Sequence, residues 1–214
     1  VLDFSFLSKY YMFFLIGVKN TVIIAFFSVI FGVVLGTLLG LMRQSKIKIL
    51  KIIATAYIEF VRGTPLLVQL FIVYYGLPIN LSTVPAGIVA LTLNSGAYVA
   101  EIIRAGIEAI DKGQMEAARS LGMSHVQSMR YIILPQALKN ILPVLGNEFI
   151  TIIKESSIVS VIGVPEIMYN AETVRGNTFK PFEPLLVAAV LYFVLTYTLS
   201  KLVGKLERRL KNSD

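Results

Sequence analysis

NTVIIAFFSVIFGVVLGTLLGLM, residues 20–42, is the stretch whose reading decides the fold. It carries no charge, and a helix needs about 20 mostly apolar residues to cross the hydrocarbon of a bilayer. The run therefore reads as a membrane span. Gly32, Gly36 and Gly40 recur within it at every fourth position. Small residues at that spacing let helix backbones approach closely in lipid, where packing drives association. The expectation is a span that packs its glycine edge tightly against another helix.

The composition agrees. The 214 residues are 56% hydrophobic and only 15% charged, with a mean hydropathy of +0.74. A soluble domain is about a quarter charged, so this chain has too little polar surface to face water on all sides. There is no Cys, which excludes disulfides and thiolate sites, and the one His, His125, excludes a histidine metal cluster. Trp is absent, leaving Tyr, Lys and Arg as interfacial anchors. The net charge of +7 points to a lipid surface. No basic patch with interleaved aromatics lies outside the apolar runs, so nucleic acid is set aside. The opening VLDFSFLSKYYMFFLIG has no basic start and no small-residue cleavage site. It reads as a segment lying at the membrane surface.

Working outward from 20–42, four more apolar segments follow, over 52–77, 86–103, 131–162 and 184–203. Gly63-Thr64-Pro65 should break or kink the second. The connection GVPEIMYNAETVRGNTFKPFEP, 163–184, reads as a polar loop. The expected fold is an all-α integral membrane protein of five transmembrane helices, one domain over 1–214. Lys and Arg concentrate in 43–51, 104–139 and the tail, which an odd number of spans puts on one side. The positive-inside rule makes that side cytoplasmic. The N-terminus is then outside and the C-terminus cytoplasmic.

Between the third and fourth spans lies a segment too polar to enter lipid. Asp111 and Gln114 have the spacing of a capping box, Gly122 suits a left-handed helix stop, and Ser124 with Gln127 forms a second box. A short cytoplasmic helix over 112–122 is expected. Met115, Ala118 and Leu121 make a narrow apolar stripe, and Ala117 and Ala118 leave little bulk. Spacing alone leaves two readings level, a docking helix or a linker on the membrane surface.

Glu116-Ala117-Ala118, then Gly122, then Ile132 and Leu134-Pro135, resemble the cytoplasmic-loop signature of membrane subunits of binding-protein-dependent ABC importers. EFVRGTPLLVQLFIVYYGLP (59–78), SGAYVAEIIRAGIEAI (95–110) and NEFITIIKESSIVSVIGVPEI (147–167) resemble the polar amino-acid subfamily. The resemblance implies the permease subunit of an ATP-driven amino-acid uptake transporter in the bacterial inner membrane, working by alternating access. It makes 112–122 the coupling helix, with Met115, Glu116, Ala117, Ala118, Leu121 and Gly122 facing a separate ATPase subunit. It implies a second permease subunit, identical or a paralogue, and an external amino-acid-binding protein. The chain has no G-x-x-x-x-G-K-[ST] phosphate cradle. It is therefore expected to hold no cofactor and to be no enzyme, with ATP and Mg on the partner ATPase.

Ionisable groups inside lipid are costly and usually face a cavity or a partner. Glu148, Thr151 and Glu155 share one helical face, bordered by Asn147, and Asn94, Ser95, Tyr98 and Glu101 cluster in the third span. Two carboxylate-bearing faces around one cavity would hold a cationic amino acid (arginine, lysine or histidine) through charge-assisted hydrogen bonds. Internal pairing, Glu155 with Lys154 or Glu101 with Arg104, is the competing account for each carboxylate. A carrier driven by an ion gradient, with Glu148 and Glu155 as proton sites, is the alternative function. It leaves the 116–135 pattern unexplained. A membrane-embedded hydrolase lacks its nucleophile and metal ligands.

Overall fold

The computed structural model describes residues 2–211, and its elements there are helical. They are α1 (Leu7–Gln44), α2 (Lys48–Gly63), α3 (Leu66–Gly76), α4 (Thr83–Glu108), α5 (Lys112–Ser120), α6 (His125–Ser128), α7 (Leu134–Glu155), α8 (Ile167–Thr178) and α9 (Glu183–Lys211). A π turn, Met129–Ile133, joins α6 to α7, and a 3-10 stretch, Ser156–Ile162, ends α7.

α1 runs unbroken for 38 residues, about 57 Å at 1.5 Å per residue. That exceeds a hydrocarbon core of about 30 Å. Residues 7–19, expected as a segment at the membrane surface, are helical and continuous with the helix of the first span. Packing explains the difference. Phe6 and Phe14 are buried against Ile167, Ala171, Val174 and Ala188 of α8 and α9, which hold the helix where sequence alone shows only an oily, aromatic start.

α1 packs along α4 more extensively than any other two elements do. A Cβ on Gly32 would come within 2.9 Å of Ser95 Oγ, and one on Gly36 within 2.6 Å of Val99 and 2.8 Å of the Gly96 carbonyl. Gly40 meets nothing. The glycine edge is thus a close backbone contact at two of its three positions.

The break at 63–65 is sharp, with α3 turning 111° from α2. Pro65 has no N–H to continue α2, and Gln69 mends the ends. Its buried Nε2 donates to the Val61 carbonyl at 2.7 Å, the Thr64 carbonyl at 3.1 Å and Thr64 Oγ1 at 2.9 Å. α1, α4 and α9 are each long and apolar enough to cross a membrane, and the bent α2–α3 pair passes the same measure jointly. α7 does not, because Lys139, Asn140, Asn147, Glu148, Lys154 and Glu155 interrupt it.

The loop expected over 163–184 is largely α8. Its N-terminus is built from buried polar groups. Glu166, fully buried, caps it by accepting from the Tyr169 N–H at 2.7 Å and from the Tyr192 hydroxyl of α9. Asn20 donates to the Pro165 carbonyl at 2.7 Å, Thr21 Oγ1 accepts from the Ile167 N–H at 3.3 Å, and Asn170 donates to the Phe13 carbonyl at 2.7 Å. Burial pushes the Glu166 carboxyl above its ordinary value, and the Tyr192 hydroxyl and backbone N–H groups pull the other way.

Candidate functional site

α5 begins where the caps require. Asp111 Oδ1 accepts from the Gly113 N–H at 2.7 Å. Gln114 does not reach back to close the box; its Oε1 accepts from Gln136 Nε2 of α7 at 3.4 Å. Gly122 takes the left-handed stop, φ +87°. The Ser124–Gln127 box closes in both directions, at 2.7 and 3.2 Å. The apolar stripe divides. Ala118 is buried and Met115 half-buried, while Glu116, Ala117, Leu121 and Gly122 are exposed, Leu121 at 85%. Two of the six expected coupling residues therefore seat the helix on its own chain, and four face outward. Val126, 73% exposed, extends that outward surface.

The candidate substrate residues sort into three groups. Ser95, fully buried on α4, donates to Glu148 Oε1 of α7 at 3.1 Å. This bond joins the two faces expected from the third and fourth segments. Gly32 leaves the room in which Ser95 sits. Thr151 and Glu155 continue the Glu148 face, both half-buried. Lys154 is exposed, and no salt bridge between it and Glu155 occurs among the described residues.

Asn94 is used by the scaffold. Its Nδ2 donates to Gln69 Oε1 at 3.0 Å, behind the α2–α3 break. That role was not legible, because nothing in the spacing links position 94 to position 69.

Glu101 is the centre of an arginine cluster. Oε1 accepts from Arg43 of α1, and Oε2 accepts from Arg104 Nε and Nη2 at 3.1 and 2.8 Å. Arg62 Nη1 of α2 lies 3.7 Å from Oε2 and stacks its guanidinium over Tyr98, 5.8 Å from the ring centroid. Arg104 also bonds Glu108. The pairing of Glu101 with Arg104 is present, with two further guanidiniums that sequence spacing did not suggest. Both oxygens are engaged by cations, so a positively charged ligand would meet repulsion here.

Two clefts flank the N-terminal half of α7. One, about 430 Å³, is lined by Tyr98, Glu101, Ile102, Gly106, Asn140 and Val144, among others. The other, about 450 Å³, includes Gln136, Lys139, Asn140, Asn147 and Glu207. Tyr98 and Glu101 line the first and Asn147 the second, and neither is lined by Ser95 or Glu148. Among the described residues no group of three or more His, Asp or Glu is placed to hold a metal ion.

Comparison with known proteins places this architecture. The family model for the binding-protein-dependent transport system inner membrane component matches residues 32–212. The arginine transport system permease protein ArtQ of Bacillus subtilis is 45% identical over 100% of this chain and 99% of its own length. A Rickettsia conorii permease, GlnP, whose assignment to glutamine transport is provisional, is 42% identical over 97% of this chain and 98% of its own. A crystal structure of an amino acid ABC transporter with histidines contains a chain that superposes with a TM-score of 0.95. That chain is 51% identical, covering 98% of this chain and 99% of that one.

Proposed function

This chain belongs to the family of binding-protein-dependent transport system inner membrane components, and from that premise we propose how it works. It is a multi-pass membrane protein and a transport subunit of an amino-acid ABC transporter, not an enzyme. Membership favours ATP-driven uptake over the ion-gradient carrier. The finer reading is five crossings in a bacterial inner membrane, N-terminus outside, α7 being the crossing whose polar face is shielded by neighbours rather than lipid. α5 is the coupling helix, on the cytoplasmic side.

ATP and Mg sit on a separate ATPase subunit that holds the outward surface of α5. The carrying observation is that surface: Glu116, Ala117 and Leu121 are exposed on a helix capped at its start and stopped by a left-handed glycine at its end. A small-residue face of this kind lets a partner approach, and the caps keep the helix from fraying under load. ATP binding would close the ATPase pair, carry two such helices together and switch the path between inward and outward access. The two states need differ by only a few kcal/mol for this to work.

The substrate is a polar, cationic amino acid, delivered by an external binding protein to a path shared with a second permease subunit. Support comes from the Ser95–Glu148 contact and the carboxylate face it begins, and from the arginine assignment of ArtQ. Asn147, Thr151 and Glu155 belong to that face, while Asn94 and Glu101 act on the scaffold around it. The test is amino-acid-stimulated ATP hydrolysis by the chain reconstituted with its ATPase, permease partner and binding protein. Arginine should stimulate, and Glu148→Gln should lower that stimulation about tenfold, the loss of one charge-assisted hydrogen bond. Unchanged stimulation in a fully assembled variant removes Glu148 from the site.

A further inference from the structure

α2 has three faces. At about 100° per residue, Ala54, Ile58 and Val61 lie together and are buried, with Ala54 and Ile58 packed against Leu39 and Ala100. Lys48, Lys51, Glu59 and Arg62 occupy the adjoining face and are exposed. Ile49, Ile52, Ile53 and Phe60 form a third face, contiguous with the charged one and exposed at 65%, 55%, 52% and 61%. Lys46 precedes the helix, also exposed. Lys46, Lys48 and Lys51 take part in no salt bridge among the described residues. Nearby positive charge is in surplus too, since Arg43, Arg62 and Arg104 share Glu101, and among the described residues only Arg104 has a second carboxylate, Glu108.

We propose that this outward side of α2 is a binding site for an anionic phospholipid. The phosphate sits on Lys46, Lys48 and Lys51, and an acyl chain lies along Ile49, Ile52, Ile53 and Phe60. The assignment rests on two matched properties in one place. An unpaired basic face attracts a phosphate, and the apolar stripe beside it is what an attached hydrocarbon chain needs. A zwitterionic lipid satisfies the stripe but not the lysines. A second copy of the chain docked symmetrically on this face would crowd like lysines against each other, since a two-fold contact presents the same patch from both sides. The site does not depend on the transport reading, only on the membrane location of the chain.

The test uses the complete purified transporter, with bound lipid measured by native mass spectrometry after exchange into mixed phosphatidylglycerol and phosphatidylcholine of equal chain length. The intact protein should retain phosphatidylglycerol selectively. Each lysine replaced by glutamine should weaken that retention by about fivefold, so K46Q/K48Q/K51Q should abolish the selectivity. The lysine-to-arginine triple variant should keep it, which separates charge from folding. Ile52→Ser should reduce retention of long-chain but not short-chain phosphatidylglycerol. Equal retention of the two lipids by the intact protein overturns the proposal. So does undiminished selectivity in the glutamine variant, or a disulfide between Ile52→Cys positions of two copies, which would make this face a contact between subunits.

Discussion

α5 and α8 both connect long helices, yet α5 buries one residue, Ala118, whereas α8 buries Ile167, Asn170, Ala171 and Val174. α8 also draws three polar side chains from elsewhere in sequence, Asn20, Thr21 and Tyr192, into bonds at its N-terminus, where its own Glu166 is the cap. α5 satisfies its own ends with local caps and leaves most of its surface unused. A connection that spends its hydrogen bonds internally is fixed to the bundle. A connection that spends only its caps is stiff in itself and free to bear on something else. The difference fits α8 to holding the extended α1 and α9 together and leaves α5 a surface on which the proposed ATPase contact could be made.

Bulk on α5 should give the largest effect. Ala117→Trp adds a large side chain on an exposed face, so the isolated chain should keep its stability, within about 0.5 kcal/mol. Binding to the ATPase subunit, measured by titration in detergent, should fall by about a hundredfold, the scale of a blocked interface centre. A loss of stability with normal ATPase binding would reverse the roles drawn here.

The converse holds for α8. Glu166→Ala strands the Tyr192 hydroxyl and the Tyr169 N–H in a buried place. Denaturant unfolding in detergent should show a loss of about 2–3 kcal/mol, with ATPase binding preserved in the folded fraction. Asn170→Ala removes one bond to the Phe13 carbonyl and should cost about 1 kcal/mol. It should also release the N-terminal turns of α1, seen as faster hydrogen exchange at Leu7–Gly17.

The smallest effect belongs to the edge of this region. Lys180 donates to the Asp3 carboxylate and to its carbonyl, and holds the Asp3 carboxyl down at about 2. The folded value lies below the unfolded one, so the contact's contribution is present above the ordinary carboxylate range and is lost as pH falls toward 2. An Asp3 carboxyl signal that titrates near 2, and moves up in Lys180→Gln, is expected. A midpoint at the ordinary value would remove the contact.

How much of this was legible in the sequence follows the same division. The α5–α6 region was readable because its determinants are local. Asp111, Gly122, Ser124 and Gln127 cap or stop helices within a few residues of themselves, and all four do so here. The apolar runs were readable because hydropathy is a sum over neighbours. α8 read as a loop because what makes it a helix in place is distant: Thr21, Asn20 and Tyr192 are far along the chain. Asn94 and Glu101 drew attention as polar groups in an apolar run, and the physical reasoning that such groups need partners was sound. Spacing did foresee one partner, Arg104 three residues after Glu101, but Gln69, Arg43 and Arg62 come from other helices, so for these the sequence showed the need and not the solution. Ser95 with Glu148 is the pair for which two separate periodicities met in space.

The central claim is that the exposed side of α5 bears against an ATPase. The chain contains no cysteine, so Leu121→Cys places a single thiol on that side. In the assembled transporter, a short thiol-to-amine cross-linker should join this position to the ATPase subunit, and the yield should change when ATP binds. A cross-link only to other membrane subunits, or labelling of the thiol by an impermeant reagent from outside the cell, would contradict the account.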